Sequence, residues 1–269
     1  MTLIGNKAHV DAINLSGLIL EGDVAGKFSV KTQTSVKEVP PGSLILLTTK
    51  AQDLAKAVTS VKHLLKEDTV ILVLQNGIGV KELVHKTVKS EIKIVRGLIL
   101  MAAEFFEPGK ITLWNGKIIV EGTEIGEEIA ELFRESGLKT QVSNDILREE
   151  WNKLVVNCVV NPLTAILKVR DNEIAADNLK EIRHKIVEEC VRVGKAEGIS
   201  FKPFLEREID HMILGYTNYS SMYQDIFKRK KTEIDFLNGM IVKLGKEHGI
   251  PTSVNETLVG LIKFLEAEI

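Results

Sequence analysis

The order of apolar and polar positions gives the chain two halves of different period. Ser43–Thr48 and Thr69–Leu74 are short, continuous apolar runs, the pattern of parallel strands covered on both faces. Leu54–Leu65, Val80–Val88 and Ile125–Ser136 instead place apolar residues at helical spacing, with Val58, Val61 and Leu65 on one face of the first. Further strands are predicted at Met1–Ile4, Ile92–Leu100 and Lys139–Val142, a helix at Lys7–Leu15, and a hairpin from Leu18–Glu21 and Lys27–Thr32. A second hairpin is expected to join Lys110–Leu113 to Lys117–Glu121, because Asn115-Gly116 is a strong turn signal. After Ser143 the strand pattern stops. Helices are predicted through 151–167, 178–198, 203–214, 221–228, 231–248 and 255–268. The expectation is an α/β chain: a doubly wound sheet domain over 1–143, then an all-α domain over 144–269.

One helix departs from simple amphipathicity. From Trp151 to Thr164 the residues Leu154, Val155, Val156, Cys158, Val159, Val160 and Leu163 are apolar all round the wheel, which marks a buried helix. Lys153, Asn157 and Asn161 interrupt it at i, i+4 and i+8. With about 100° per residue they drift only about 40° per step and form one polar stripe. An unsatisfied buried polar group costs about 1–3 kcal/mol, so the three must line a polar cavity or bond one another. A single buried Asn is most simply a structural bond. A lysine with two amides reads as a site, and a buried amine, whose pKa shifts easily, suits proton donation. Pro162 removes a backbone N–H and is expected to bend the helix beside Asn161, freeing a carbonyl nearby. Ligands of open α/β sheets bind beyond the carboxyl ends of the strands, where Lys50 and Asn76 stand. A cleft between the domains is expected to collect Lys50, Asn76 and Lys153.

Composition narrows the function classes. A chain of 269 residues, 44% hydrophobic and 27% charged, is long enough to bury a sizeable core and needs no disulfide scaffold. Its net charge of −2 gives no footprint for nucleic acid, and the basic run Lys228–Lys231 reads as a solvated helix face. Two cysteines fit a reducing cytoplasm, and no apolar run is long enough to span a bilayer. The six histidines show no metal-ligand spacing beside a carboxylate, so no metal is assigned. No G-x-S-x-G elbow is present.

Taken singly, the remaining polar candidates have plain alternatives. Asn76-Gly77 makes a turn, and Lys50 makes a solvated amine at a sheet edge. Asn218, Ser220 and Ser221 are good caps for a helix starting near Met222, and Glu233 complements a helix dipole. Their joint pattern is what carries weight.

That pattern resembles the ketopantoate reductase (2-dehydropantoate 2-reductase) family. The matching pieces are Thr48-Thr-Lys50-Ala, Gln75-Asn76-Gly-Ile-Gly79, Lys153 through Asn157 to Asn161-Pro-Leu-Thr164, Asn218-Tyr-Ser-Ser221-Met-Tyr-Gln-Asp225, and Thr232-Glu233 to Asn238-Gly239. Order and spacing agree over nearly the whole chain. The resemblance implies a Rossmann-like sheet domain and NADPH-dependent reduction of ketopantoate to pantoate, with NAD the next choice of cofactor, in pantothenate and coenzyme A synthesis. It implies Lys153 as general acid and Glu233 as the carboxylate that binds substrate and sets the lysine's state. Asn157, Asn161, Asn218 and Ser221 correspond to substrate-binding groups, and Lys50, Gln52 and Asn76 to cofactor-binding ones. The substrate would be a small 2-oxo acid, and the helical domain's apolar faces suggest a homodimer.

Two departures qualify the match. Asp171-Asn172 stands where the family usually has a neutral Asn-Gly pair, which places Asp171 near an anionic substrate. Met1–Gly5 looks like the family's second strand, so the first strand, its glycine-rich turn and the first helix are expected to be missing. Where the family commonly carries an Arg to meet a 2′-phosphate, this chain has Asn6 and Lys7. Two other readings follow: a truncated, catalytically impaired relative that binds a pantoate-like ligand, or a sister NAD(P)-dependent hydroxyacid dehydrogenase.

Overall fold

The computed structural model describes residues 1–88 and 91–268, which fold into two compact units. The first comprises Met1–Thr49, Asp53–Leu74 and Lys81–Val142, and the second Lys50–Gln52, Gln75–Val80 and Ser143–Ile269. Two short stretches that follow strands of the first unit thus pack with the helices of the second.

The first unit runs β1 (Thr2–Ile4), α1 (Lys7–Ser16), β2 (Leu18–Gly22), β3 (Gly26–Phe28), β4 (Lys31–Gln33), β5 (Leu44–Leu47), α2 (Leu54–Val61), β6 (Val70–Val73), α3 (Val80–Val88) and β7 (Lys93–Leu100). It continues with β8 (Ala103–Glu107), β9 (Lys110–Leu113), β10 (Lys117–Glu121), α4 (Glu124–Glu135) and β11 (Thr140–Ser143). Strands β5, β6 and β7 are parallel and joined by helical crossovers, as their apolar runs require. The full sheet is mixed, in the order β11-β10-β7-β6-β5, because β10 runs antiparallel to β7. Leu72, Val95, Ile118 and Val120 of this sheet pack against Ile129 and Phe133 of α4. Thr123 caps α4, its Oγ1 accepting from the Gly126 N–H at 3.0 Å.

The hairpin expected across Asn115-Gly116 does not form. β9 pairs with β8 and β2 in a separate four-stranded sheet, order β3-β2-β9-β8, while β10 joins the five-stranded one. A two-residue primed turn needs positive φ, which Gly116 lacks. A Cβ there would stand 1.9 Å from the Leu100 carbonyl oxygen, so this glycine serves close backbone approach. The other expected hairpin forms only in part. β2 and β3 pair antiparallel, but β4 lies parallel to β1.

The second unit holds α5 (Ile146–Leu167), α6 (Lys180–Ala196), α7 (Leu205–Leu214), α8 (Ser221–Phe227), α9 (Asn238–Glu247) and α10 (Ser253–Ala267). Its core gathers around α5, whose Leu154, Val155, Cys158 and Val159 are buried beside Ile186 and Val193 of α6, Met222 of α8, Ile241 of α9 and Ile262 of α10. Among the described residues no helix is long and apolar enough to cross a membrane.

Candidate active site

Helix α5 starts where the Asp145 side chain accepts from the Arg148 N–H and continues as one 22-residue helix through Pro162. Apolar residues around its circumference bury it, and that burial fixes where the polar stripe faces. Lys153 is half-buried and its Nζ donates to Asn76 Oδ1 at 2.8 Å. Asn157 is half-buried and Asn161 buried. Among the described residues neither amide makes a hydrogen bond. Amides in this position remain available to a polar ligand.

Asn76 is itself held from the other side. Its Nδ2 donates to Glu233 Oε2 at 3.3 Å, while Glu233 Oε1 accepts from the Ala51 N–H at 2.9 Å. The amide can stand only this way round, because an ammonium has no acceptor and a carboxylate no donor. Asn76 lies in the loop before α3, where Gly77 adopts φ +94° and a Cβ would meet the Phe236 carbonyl oxygen at 2.6 Å. A glycine is needed there for both reasons. Glu233, 5% exposed, follows Thr232, whose N–H and hydroxyl both donate to Glu266 Oε1 at 2.7 and 2.6 Å.

Lys50 extends the array. Its Nζ lies 2.5 Å from Asp225 Oδ2 and 3.9 Å from Glu233 Oε2, so the solvated sheet-edge amine is set aside. Burial pushes the Asp225 carboxyl up from its ordinary pKa, against the pull of Lys50, and the like charge of Glu233 adds to the rise. Gln52 Nε2 donates to the Lys231 carbonyl at 3.2 Å, and its buried Oε1 makes no hydrogen bond among the described residues. In the basic run Arg229, Lys230 and Lys231 are exposed, as a solvated face requires, and Lys228 departs from that reading. The run turns after α8 with Arg229 at φ +53°, and Lys228 is half-buried, its pKa pulled down by that burial and then by Lys230.

The residues placed around the substrate form a second group. Asp171 is buried and its Oδ2 accepts from Asn218 Nδ2 at 2.7 Å, while the Asp171 N–H donates to the Asn218 carbonyl. Asn218 therefore spends its amide within the protein, giving its other bond to the Tyr219 carbonyl at 3.3 Å. Burial, then the Asp171 charge, raises the pKa of Tyr216. Ser220, not Ser221, caps α8 through the Tyr223 N–H, and its Oγ meets Thr164 Oγ1 at 2.7 Å. Ser221 is half-buried, one turn before Asp225 on the same helix.

Asn6 and Lys7 belong to the first unit. Asn6 caps α1 by accepting from the His9 N–H at 2.9 Å, and Lys7 pairs with Asp11 at 2.7 Å in an exposed i,i+4 contact. Neither joins the Lys153 array. The structure thus brings Lys50, Gln52, Asn76, Lys153 and Glu233 into the second unit, with Asn157 and Asn161 one and two turns along α5. Sequence reasoning assigned no role to Asp225. Its signal was the i+4 spacing from Ser221 on one face of α8.

Comparison with known proteins bears on the family of the whole chain. Residues 1–123 match the family model described as Ketopantoate reductase PanE/ApbA, and residues 145–266 match Ketopantoate reductase PanE/ApbA C terminal. A 2-dehydropantoate 2-reductase of Pyrococcus horikoshii is 36% identical over 99% of this chain and 90% of its own. Among solved structures, a PanE/ApbA family ketopantoate reductase from Ralstonia eutropha superposes with a TM-score of 0.89 at 28% identity, covering 99% of this chain and 90% of that one. A D-mandelate dehydrogenase solved with NADH and anilino(oxo)acetate gives 0.87 at 30% identity, over 99% and 91%.

Proposed function

The chain belongs to the ketopantoate reductase family, and on that premise we propose that it reduces 2-dehydropantoate to pantoate with NADPH, a step of pantothenate and coenzyme A synthesis. It is an NAD(P)-dependent oxidoreductase acting on a small molecule. The observation that carries the reading is the line Lys153–Asn76–Glu233, an amine aimed from a buried helix and fixed by an amide that a buried carboxylate fixes in turn.

A nicotinamide cofactor fits the residues present. Gln52 carries a buried acceptor with no partner among the described residues, and a Cβ on Gly79 (φ +82°) would meet nothing within 4 Å. Lys50, Gln52 and Asn76 would hold the nicotinamide end, and Asn6 with Lys7 the adenosine end. An exposed ion pair like Lys7–Asp11 is worth less than about 1 kcal/mol, so that amine can exchange Asp11 for a phosphate, which favours NADP over NAD. When bound, the nicotinamide supplies hydride to the ketone carbon. Lys153 donates a proton to the oxygen of that carbon as charge develops there, and its cation stabilises the same charge beforehand. Asn157 and Asn161 hold the hydroxyl end of the substrate, and Ser221 meets its carboxylate, which Asn218 can join only by exchanging its bond to the Tyr219 carbonyl. Asp171, by engaging Asn218, orients that amide. Two buried free cysteines are in keeping with a reducing cytoplasm. Leu261 and Phe264, 46% and 65% exposed and three residues apart on α10, favour a homodimer.

Steady-state turnover with NADPH and NADH against ketopantoate and a series of other 2-oxo acids, aryl ones included, tests the reading. The highest kcat/KM is expected with ketopantoate and NADPH. Faster turnover of an aryl 2-oxo acid would replace this reading with a sister hydroxyacid dehydrogenase.

A further inference from the structure

Pro162 sits inside α5, and a proline has no N–H. In an α-helix that N–H would donate to the carbonyl four residues earlier, which here is Cys158. The Cys158 carbonyl is thereby orphaned in the middle of the buried helix, between the two amides of the stripe, Asn157 and Asn161. It is satisfied from outside the helix. Asn238, fully buried at the start of α9, donates from Nδ2 to the Cys158 carbonyl at 3.0 Å. The same Nδ2 donates to Asn255 Oδ1 at 2.9 Å, and Asn255 in turn donates from Nδ2 to Glu189 Oε2 at 2.7 Å. Glu189 also accepts from the N–H groups of Val254 and Asn255 at 3.0 and 2.9 Å, which locks it to the first turn of α10.

Every orientation in this chain is determined. Glu189 can only accept, so Asn255 must turn its NH₂ to it and its oxygen to Asn238. Asn238 must then present its NH₂ to two acceptors, since the flipped amide would set oxygen against oxygen. Its own Oδ1 makes no hydrogen bond among the described residues. Leaving a buried acceptor unmatched is costly, so one bond is made at the expense of another atom. The arrangement favours the position of the Cys158 carbonyl over the satisfaction of Asn238.

We infer that Asn238 is a positioning residue for substrate binding: its bond to the Cys158 carbonyl, backed by Asn255 and Glu189, sets the pitch of α5 between Asn157 and Asn161 and so the spacing of the two substrate amides. The inference rests on the reading of those amides given above. Lys153 lies one turn before Asn157 and is fixed separately through Asn76. Loosening the Cys158 turn therefore acts on substrate affinity more than on the chemical step.

The compensating change is already implied by the defect. Pro162→Ala restores the missing N–H and lets the helix satisfy Cys158 by itself. Asn238→Ala is expected to raise KM for ketopantoate about tenfold with kcat within about threefold, and Pro162→Ala in that background to return KM to within about threefold of wild type. A loss of packing alone would not be repaired by a second substitution on another helix. Because the chain has only two cysteines, carbonyl-¹³C cysteine labels two amides, and infrared spectroscopy reads the Cys158 bond without turnover. One labelled band is expected to shift up in Asn238→Ala and back in the double variant. Should Asn238→Ala fail to fold, the double variant is expected to fold, and an unfolded double variant overturns the inference. So does an unshifted band, or a wild-type KM in Asn238→Ala when Asn161→Ala raises it. If Asn161→Ala itself leaves KM unchanged, the reading of the site falls first and this inference with it.

Discussion

Between Lys153 and Glu233 stands an amide. A carboxylate in direct contact would hold the ammonium proton and raise the cost of giving it up. Asn76 passes orientation from Glu233 to Lys153 while keeping the Glu233 charge one side chain away, an arrangement that suits the proposed proton donation. Lys153→Ala is expected to lower kcat by about 10²–10⁴-fold, and a variant within a few-fold of the parent would remove Lys153 from the mechanism. Asp225 gives a second prediction at this scale. Its folded pKa is raised, so its contribution to stability is present below the unfolded value near 4 and is lost as pH rises through the folded value. From about pH 4 upward, wild-type stability should fall relative to Asp225→Asn. Lys50→Met removes the main group that lowers this pKa, so it should carry the loss to higher pH. Thermal melts across pH 3.5–7 check both, and parallel curves for wild type and Asp225→Asn would refute the assignment.

At the scale of elements, the loop before α3 bears a geometric demand. Gly77→Ala must place a side chain at φ +94° and drive its Cβ into the Phe236 carbonyl. It should destabilise by about 1–3 kcal/mol and lower kcat by displacing Asn76, read by denaturant unfolding and turnover. Unchanged stability would show that the loop relaxes freely. The stripe on α5 was legible beforehand because 3.6-residue periodicity turns sequence spacing into a shared face. Its partners were legible only as motifs, since nothing local in Gln75–Gly79 says that Asn76 meets Glu233, 157 positions away. One strand pairing was misread and one strand was missed. Asn115-Gly116 carries a hairpin signal, yet close approach to Leu100 decides what that glycine does. Ala103–Glu107 offers too weak an alternation to announce β8. The carbonyl freed by Pro162 was expected, but its acceptor role toward Asn238 depends on how α9 packs.

For the whole molecule, association is the open axis. Leu261 and Phe264 lie among the more exposed large apolar side chains, on a helix whose other face builds the core. The proposed homodimer predicts that the parent sediments as a dimer and the Leu261→Glu, Phe264→Glu double variant as a monomer, and a monomeric parent would overturn it. Identical sedimentation would move the interface elsewhere. The division of the chain has a consequence of its own. Residues 50–52 and 75–80 are spliced into the helical unit, giving Glu233 its Ala51 and Asn76 donors and giving Asp225 its cation. A fragment cut at 143 would lose both stretches and leave two buried acids without these counterparts. Grafting this helical module onto a foreign domain would therefore require a host whose own loops supply the same donors and the same cation.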